Sequence, residues 1–425
     1  MIPANGVLHR FVWFAAERGL RLAITFVVGA AVARYLGPET YGMIAYSAST
    51  VAVFSVFFGL GIDALVTRDL SRDRRSDASI VGTALVVRML TGFVAFAFCF
   101  VFARVADLGV SGLKQLLLWQ SLILLFGWSD VLDGWFQSGP QLWIGICIRV
   151  VVSMAAAGLR VYLVFTDAAP YAFVLAGVVE SAVIASALWF GFKTTRLERR
   201  ALSFDAALAV DFLKRGWPLA ISAGLVTFVL QGDRIVLGHL SSAEQVGLYA
   251  VSARFLDVLL ILPVLLGMSV QRLFAQEAAA HMEARSGAVR RILILGNWIG
   301  LGAAVIMCAG AGWFVPTAFG TSFSNAAPIL NVHAWIVIFV MQVSLRTRVL
   351  VAEGRQRLVL ILSIVTAATQ IALLPLAIRM GGGVGAAYAT LAAWICGAWI
   401  GPLFFRHSRW FVVAFFRGMV FPFRH

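Results

Sequence analysis

Apolar runs of about 20 residues, the length a helix needs to cross a bilayer, follow one another along almost the whole chain. About twelve spans are predicted. In the first half they cover Arg10–Ala33, Gly42–Asp63, Ile80–Ala103, Gln115–Phe136, Gln141–Phe165 and Ala169–Phe192. In the second they cover Trp217–Leu237, Gly247–Leu273, Ile292–Val315, Ala327–Leu350, Leu358–Arg379 and Val384–Phe405. The connections are short, and none has the length of a separate soluble domain. Polar positions break the pattern in a few places. The run from Ser79 to Ala103 contains Arg88, and the run from Gln141 to Phe165 contains Arg149 and Arg160. A charge at membrane depth costs roughly 2.5–3.5 kcal/mol on insertion scales, so each needs a partner or a wet cavity. Several in one chain imply a polar chamber between helices, and the excess of arginine implies a negative cargo.

Composition agrees with this pattern. The chain is 61% hydrophobic and 13% charged, with a mean hydropathy of +0.91. A soluble domain carries about 25% charged residues. The net charge of +14 is spread over separate loops, which argues against nucleic-acid binding. Arg68, Arg72, Arg74 and Arg75 crowd the second loop, and Lys193, Arg196, Arg199, Arg200, Lys214 and Arg215 the sixth. Loops of the other parity, such as 166–170, 239–246 and 316–326, hold no Lys or Arg. The positive-inside rule therefore places both termini in the cytoplasm. The N-terminus does not read as a cleavable signal, because Glu17, Arg18 and Arg21 interrupt its apolar stretch. The basic and aromatic tail, 406–425, fits an interfacial amphipathic helix. Cys99, Cys147, Cys308 and Cys396 all fall inside spans, far apart, with neither a disulfide framework nor metal-ligand spacing. No metal, no bound cofactor and no catalytic residue is expected. Proton or sodium coupling is left open.

The chain repeats itself. Glu39-Thr-Tyr-Gly42-Met-Ile-Ala45-Tyr-Ser47-Ala48 aligns with Glu244-Gln-Val-Gly247-Leu-Tyr-Ala250-Val-Ser252-Ala253, about half a chain later. Each copy occupies the outer turn between the first two helices of its half. An even number of helices separates them, so the halves are parallel repeats about an axis along the membrane normal. The expected fold is therefore an all-α polytopic membrane protein, two six-helix lobes related by a pseudo-two-fold around a central cavity. The expected domains are 1–192, a basic cytoplasmic linker 193–215, a second lobe 216–405, and the tail 406–425.

Arg34-Tyr-Leu-Gly-Pro-Glu-Thr-Tyr-Gly42 resembles the polysaccharide repeat-unit flippases of the Wzx type, in the multidrug/oligosaccharidyl-lipid/polysaccharide exporter superfamily. Gly59-Leu-Gly-Ile-Asp63, Trp135-Phe-Gln137, Gly232-Asp-Arg-Ile-Val-Leu-Gly238, Val246-Gly-Leu-Tyr-Ala250 and Gly382-Gly-Val-Gly-Ala-Ala387 look like the same family in the same order. The resemblance spans Phe11 to Phe405. It implies a transporter in the bacterial inner membrane that flips undecaprenyl-diphosphate-linked oligosaccharides outward by rocking two lobes. Membrane lipids and other polysaccharide-assembly proteins are the partners it implies.

Such a cargo needs cations that stay charged when buried and bind phosphate oxygens two at a time, which is arginine chemistry. Arg149 and Arg160 are eleven residues apart, about 16 Å along one helix face, as in a track for an anion. Arg88, Arg18, Arg21 and Arg254 complete the candidate substrate-binding set. Arg18, Arg21, Arg160 and Arg254 lie near predicted span ends and read equally as side chains that snorkel to the interface. Glu17 is placed to pair with Arg21, and Asp257 to neutralise Arg254. Asp130 and Asp133 on the fourth helix and Glu180 on the sixth are candidates either for ion coupling or as arginine counter-ions. His333 reads as a satisfied interhelical hydrogen bond. Rival readings are a multidrug exporter or a lipid II flippase of the same superfamily, and a membrane glycan-assembly enzyme. No G-x-x-x-x-G-K-[ST] loop is present to support direct ATP drive.

Overall fold

The structure is a computed structural model and describes residues 4–72, 77–105, 112–139, 141–194, 202–263, 266, 287–353 and 355–420. Within these, the side chains of 4–18, 64, 71, 72, 77, 287–290, 352 and 417–420 are not described. In chain order the helices are α1 (Ala4–Gly59), α2 (Ile62–Arg72), α3 (Asp77–Val105), α4 (Leu113–Ser121), α5 (Ser129–Ser138), α6 (Leu142–Phe165) and α7 (Pro170–Lys193). They continue as α8 (Ala206–Leu240), α9 (Ala243–Leu259), α10 (Gly287–Phe319), α11 (Ala327–Ala352), α12 (Gln356–Ile395) and α13 (Arg409–Val420). No strand occurs among the described residues.

Nine of these stretches are long and apolar enough to cross a membrane. At 1.5 Å per residue, α1 and α12 are each too long for one crossing of a hydrocarbon core about 30 Å thick. Both are broken. α1 bends at Gly37 (φ 73°) before Pro38, and α12 at Gly381 and Gly382 (φ 54°). The fourth span is broken too. α4 passes through a 3-10 stretch, Leu122–Phe126, and α5 departs from it by 42°. Counting each long helix twice and the bent pair once gives twelve crossings among the described residues. Lipid-facing surfaces are apolar, as Leu90, Phe93, Phe98 and Val101 on α3 illustrate.

The helices pack into two compact units. One comprises Met1–Leu36 with Met43–Ile235, the other Gly37–Gly42 with Val236–His425. The division expected at residues 193–215 thus lies about 20 residues later, because the start of α8 packs on the first unit. Asp205 caps α8, its Oδ1 accepting the backbone N–H of Ala207 (2.8 Å) and Leu208 (3.2 Å). The Asp205 N–H in turn bonds Thr83 Oγ1 on α3 (3.0 Å). Further along, Phe212 is fully buried with Ile62, Val81, Leu132 and Phe136. A Cβ on Gly216 would stand 2.4 Å from the Leu60 carbonyl oxygen, so only glycine allows α8 to approach so closely.

In the second unit the two copies of the sequence repeat meet. A Cβ on Gly42 would fall 1.8 Å from the carbonyl oxygen of Ala243, four residues before Gly247. Reciprocally, a Cβ on Gly247 would fall 1.9 Å from the carbonyl oxygen of Pro38, four residues before Gly42. The contact is its own mirror under exchange of copies, which is the signature of a local two-fold between the glycines. The tail forms a helix that packs on the second unit. Phe411, Val412, Ala414 and Phe415 of α13 are buried, with Phe411 packed among Met341, Leu345 and Val349 of α11. Val413 and Phe416 of the same helix stay exposed.

Candidate functional site

Two helix breaks in the first unit assemble its charged centre. After Gly59 the chain turns through Leu60 (φ 52°) and Gly61 (φ 57°), then restarts as α2 with Asp63 in its first turn. Leu60 in a left-handed conformation is an uncommon arrangement for a branched residue. The other break, at Gly127 and Trp128, restarts the chain as α5 with Asp130 in its first turn. The freed N–H groups and the dipole at a helix start both favour a carboxylate there.

Arg88 of α3 reaches between the two breaks. Its Nε lies 3.4 Å from Asp63 Oδ1, and its Nη2 lies 3.0 Å from Asp130 Oδ2. Gly59 makes room for it, and Gly127 leaves ordinary contact distance. A Cβ on Gly59 would stand 2.8 Å from Arg88 Nη1, and one on Gly127 would stand 3.7 Å from Nη2. Arg88 is 5% exposed and does not line the cavity described next, so the expectation of a chamber-lining residue is corrected. It sits behind the wall and holds two carboxylates, Asp63 and Asp130, that belong to the lining.

In front of that clamp is an open cavity of about 820 Å³, within the usual size of a small-molecule site. Asp63, Thr67, Arg68, Asp130, Asp133 and Arg149 form most of its polar lining. Arg149 Nε donates to Asp133 Oδ1 at 2.7 Å, and Gln137 Nε2 donates to Asp133 Oδ2 at 2.6 Å. Three aspartates thus face the cavity together with Arg68 and Arg149, and Arg88 stands behind them. Three carboxylates meet three guanidinium groups, with Arg149–Asp133 and Arg88–Asp130 as direct ion pairs.

The remaining expectations fall elsewhere. Arg160 Nη2 lies 2.7 Å from Glu180 Oε2, and Ser153 Oγ donates to Glu180 Oε1 at 3.1 Å. That pair joins α6 to α7 and is absent from the cavity lining, so Arg149 and Arg160 do not share one chamber wall. Asp130, Asp133 and Glu180 are each the counter-ion of an arginine. Arg254 gives its Nε–H to the Tyr41 hydroxyl at 3.4 Å and also interacts electrostatically with Asp257. Arg21 is half-buried on α1, while Glu17 and Arg18 lie outside the described side chains. His333 is 2% exposed, bonded to Ser252 Oγ at 2.7 Å and set edge-on to Tyr249. Among the described residues no three His, Cys, Asp or Glu converge on a metal position.

Asp63 was not foreseen as a site residue. Its signal was present in Gly59-Leu-Gly-Ile-Asp63, where two glycines bracket a carboxylate inside an apolar run. Arg68 also belongs to the wall, although its place in a basic loop marked it only for orientation.

Residues 11–274 match the family described as polysaccharide biosynthesis protein. No curated protein matches the sequence. Among solved structures the chain is similar to lipid II flippase MurJ in an inward closed conformation. The TM-score is 0.75 at 14% identity, over 96% of this chain and 91% of that one. It is also similar to an inward-facing multidrug resistance transporter of the MATE family, in the MOP superfamily. There the TM-score is 0.68 at 12% identity, over 93% and 96% of the two chains. A third similar structure is a MOP superfamily transporter from Pyrococcus furiosus, in which reversed polarity of the binding pocket suggests a different function. Its TM-score is 0.61 at 12% identity, over 92% and 94%. At these identities the likeness establishes the fold.

Proposed function

The chain belongs to the polysaccharide biosynthesis protein family, and we propose that it flips undecaprenyl-diphosphate-linked oligosaccharides from the cytoplasmic to the outer leaflet of the bacterial inner membrane. The observation that carries this reading is the cavity of the first unit, where Arg149 and Arg68 stand together on one wall of an otherwise apolar chain. The diphosphate of the cargo must leave water without losing its partners. A guanidinium offers two parallel N–H donors to phosphate oxygens, and Arg149 is already held at the cavity edge by Asp133. An arriving diphosphate replaces that carboxylate as the partner of Arg149, so water is not needed as an intermediate. Asp133, released, then takes a proton or a sodium ion, and this exchange couples transport to the ion gradient. The lipid tail stays in the bilayer and needs no pocket. Both termini are cytoplasmic, the cargo binds by alternating access, and the protein carries no catalytic group of its own.

A second reading rests on the same wall. Asp63, Asp130 and Asp133 also suit an organic cation, the cargo of a multidrug exporter. Binding separates the two. Undecaprenyl diphosphate and uncharged undecaprenol are titrated into detergent-solubilised protein. We expect tight binding of the diphosphate alone, weakened about tenfold or more in Arg149→Ala by loss of charge-assisted hydrogen bonds. Equal binding of the two lipids contradicts the proposal, and so does unchanged diphosphate binding by Arg149→Ala.

A further inference from the structure

The second unit buries a guanidinium that meets no carboxylate among the described residues. Arg346 of α11 is 4% exposed. Its Nη1 donates to the carbonyl oxygen of Ala398 at 3.1 Å, and its Nε has no hydrogen-bond partner. Ala398 lies in a π-helical turn, Cys396–Ile400, and such widened turns recur at functional sites. One turn before Arg346 stands Gln342, whose Oε1 accepts the Trp399 Nε1–H at 2.9 Å. Its Nε2 is buried and likewise unbonded.

These groups share a small cavity of about 20 Å³, lined also by buried Asn297 and walled by Phe411 and Phe415 of α13. The cavity is small and walled by aromatic rings, which favours the smallest anions over larger oxyanions. Chemistry narrows the choice further. The two unbonded groups are both donors, the acceptors Ala398 O and Gln342 Oε1 are each engaged, and Asn297 has an amide N–H₂ to add to the same donor set. A water would accept these donors but leave the arginine charge uncompensated, which is costly away from solvent. A monoatomic anion answers both needs, because it only accepts and it carries the missing charge.

We propose that this cavity is a binding site for one halide-sized anion, chloride under ordinary conditions, held by Arg346 and Gln342 with Asn297 beside it. The bound ion completes the contact among α11, the π turn and α13, and so stabilises the second unit. This site is separate from the diphosphate cavity and its function does not depend on that reading.

The test is thermal unfolding of the purified full-length protein in chloride, bromide or gluconate at matched ionic strength. Ligand binding to the folded state raises Tm in a saturable way. We expect such a rise with chloride and bromide and none with gluconate, which is too large to enter. In Gln342→Leu the apparent Kd rises about tenfold, the worth of one hydrogen bond to an ion. In Arg346→Gln the halide dependence disappears. A wild-type protein with the same Tm in all three salts overturns the proposal, as does an undiminished halide effect in Arg346→Gln. Anomalous scattering from wild-type crystals grown in bromide keeps the test open if Arg346→Gln does not fold. A bromide peak beside Arg346 Nε supports the site, and a water there without anomalous signal overturns it.

Discussion

Arg149 and Asp133 form the ion pair at the edge of the first unit's cavity, Nε to Oδ1 at 2.7 Å, with their side chains 23% and 15% exposed. Neither partner is sealed away. The arginine is therefore placed to exchange one anionic partner for another, and its removal leaves a carboxylate that Gln137 still supports. Arg149→Ala is expected to abolish glycan export while the protein reaches the membrane in normal amount. Arg149→Lys keeps the charge but not the two-pronged fork, and restores export only partly. Export by intact cells, normalised to membrane abundance, checks both.

Arg88 behaves differently because it is buried between Asp63 and Asp130. Removing one member of a fully buried ion cluster typically costs about 3–5 kcal/mol. The cost is less here, because Asp63 and Asp130 are 39% and 47% exposed to screening solvent. Arg88→Ala is thus expected to lower Tm and the yield of monodisperse protein, not only transport. The triple variant with Asp63→Asn and Asp130→Asn recovers much of that stability. A single Arg88→Ala as stable as wild type removes the clamp from this account.

The glycine contact gives a prediction independent of cargo. A methyl group at Gly42 or Gly247 meets backbone oxygen at 1.8 or 1.9 Å, and backbone cannot rotate aside as a side chain does. Gly42→Ala and Gly247→Ala are each expected to destabilise the second unit severely. Gly29→Ala and Gly158→Ala, where a Cβ meets nothing within 4 Å, are expected to be neutral or slightly stabilising. Thermal unfolding of the four variants checks the contrast.

Arg160 and Glu180 join α6 to α7 outside the cavity. Arg160→Ala is expected to reduce stability modestly, and the exchange Arg160→Glu with Glu180→Arg to restore most of it. Transport by the exchanged pair near the wild-type rate fits a structural bridge. Loss of transport in a folded exchanged pair assigns Arg160 to the cargo path instead.

The spans were legible in the sequence because hydrophobicity over about 20 residues is a local signal, and so was the repeat, which became a contact between Gly42 and Gly247. That acids in the spans stand near arginines was likewise within reach, since neither charge is stable there alone. The choice between counter-ion and coupling group was left open. What stayed hidden were the helix breaks. Gly127 and Trp128 interrupt the fourth span without a proline, and the interruption is what turns Asp130 towards Arg88. Spacing along a helix also says which residues share a face, not which neighbour each one meets. Arg149 and Arg160 therefore read as one track, whereas α5 claims the first and α7 the second. Arg346 passed unnoticed because it stands near the end of its span, where a basic residue is ordinarily taken to mark orientation.

The central claim is that the cavity carries a lipid-linked diphosphate. It is tested most directly with purified protein in liposomes that contain a fluorescent undecaprenyl-diphosphate oligosaccharide. The account predicts protein-dependent translocation that is lost in Arg149→Ala. No translocation, together with movement of a fluorescent cationic drug that is lost in Asp133→Asn, would contradict it and assign the cavity to cations.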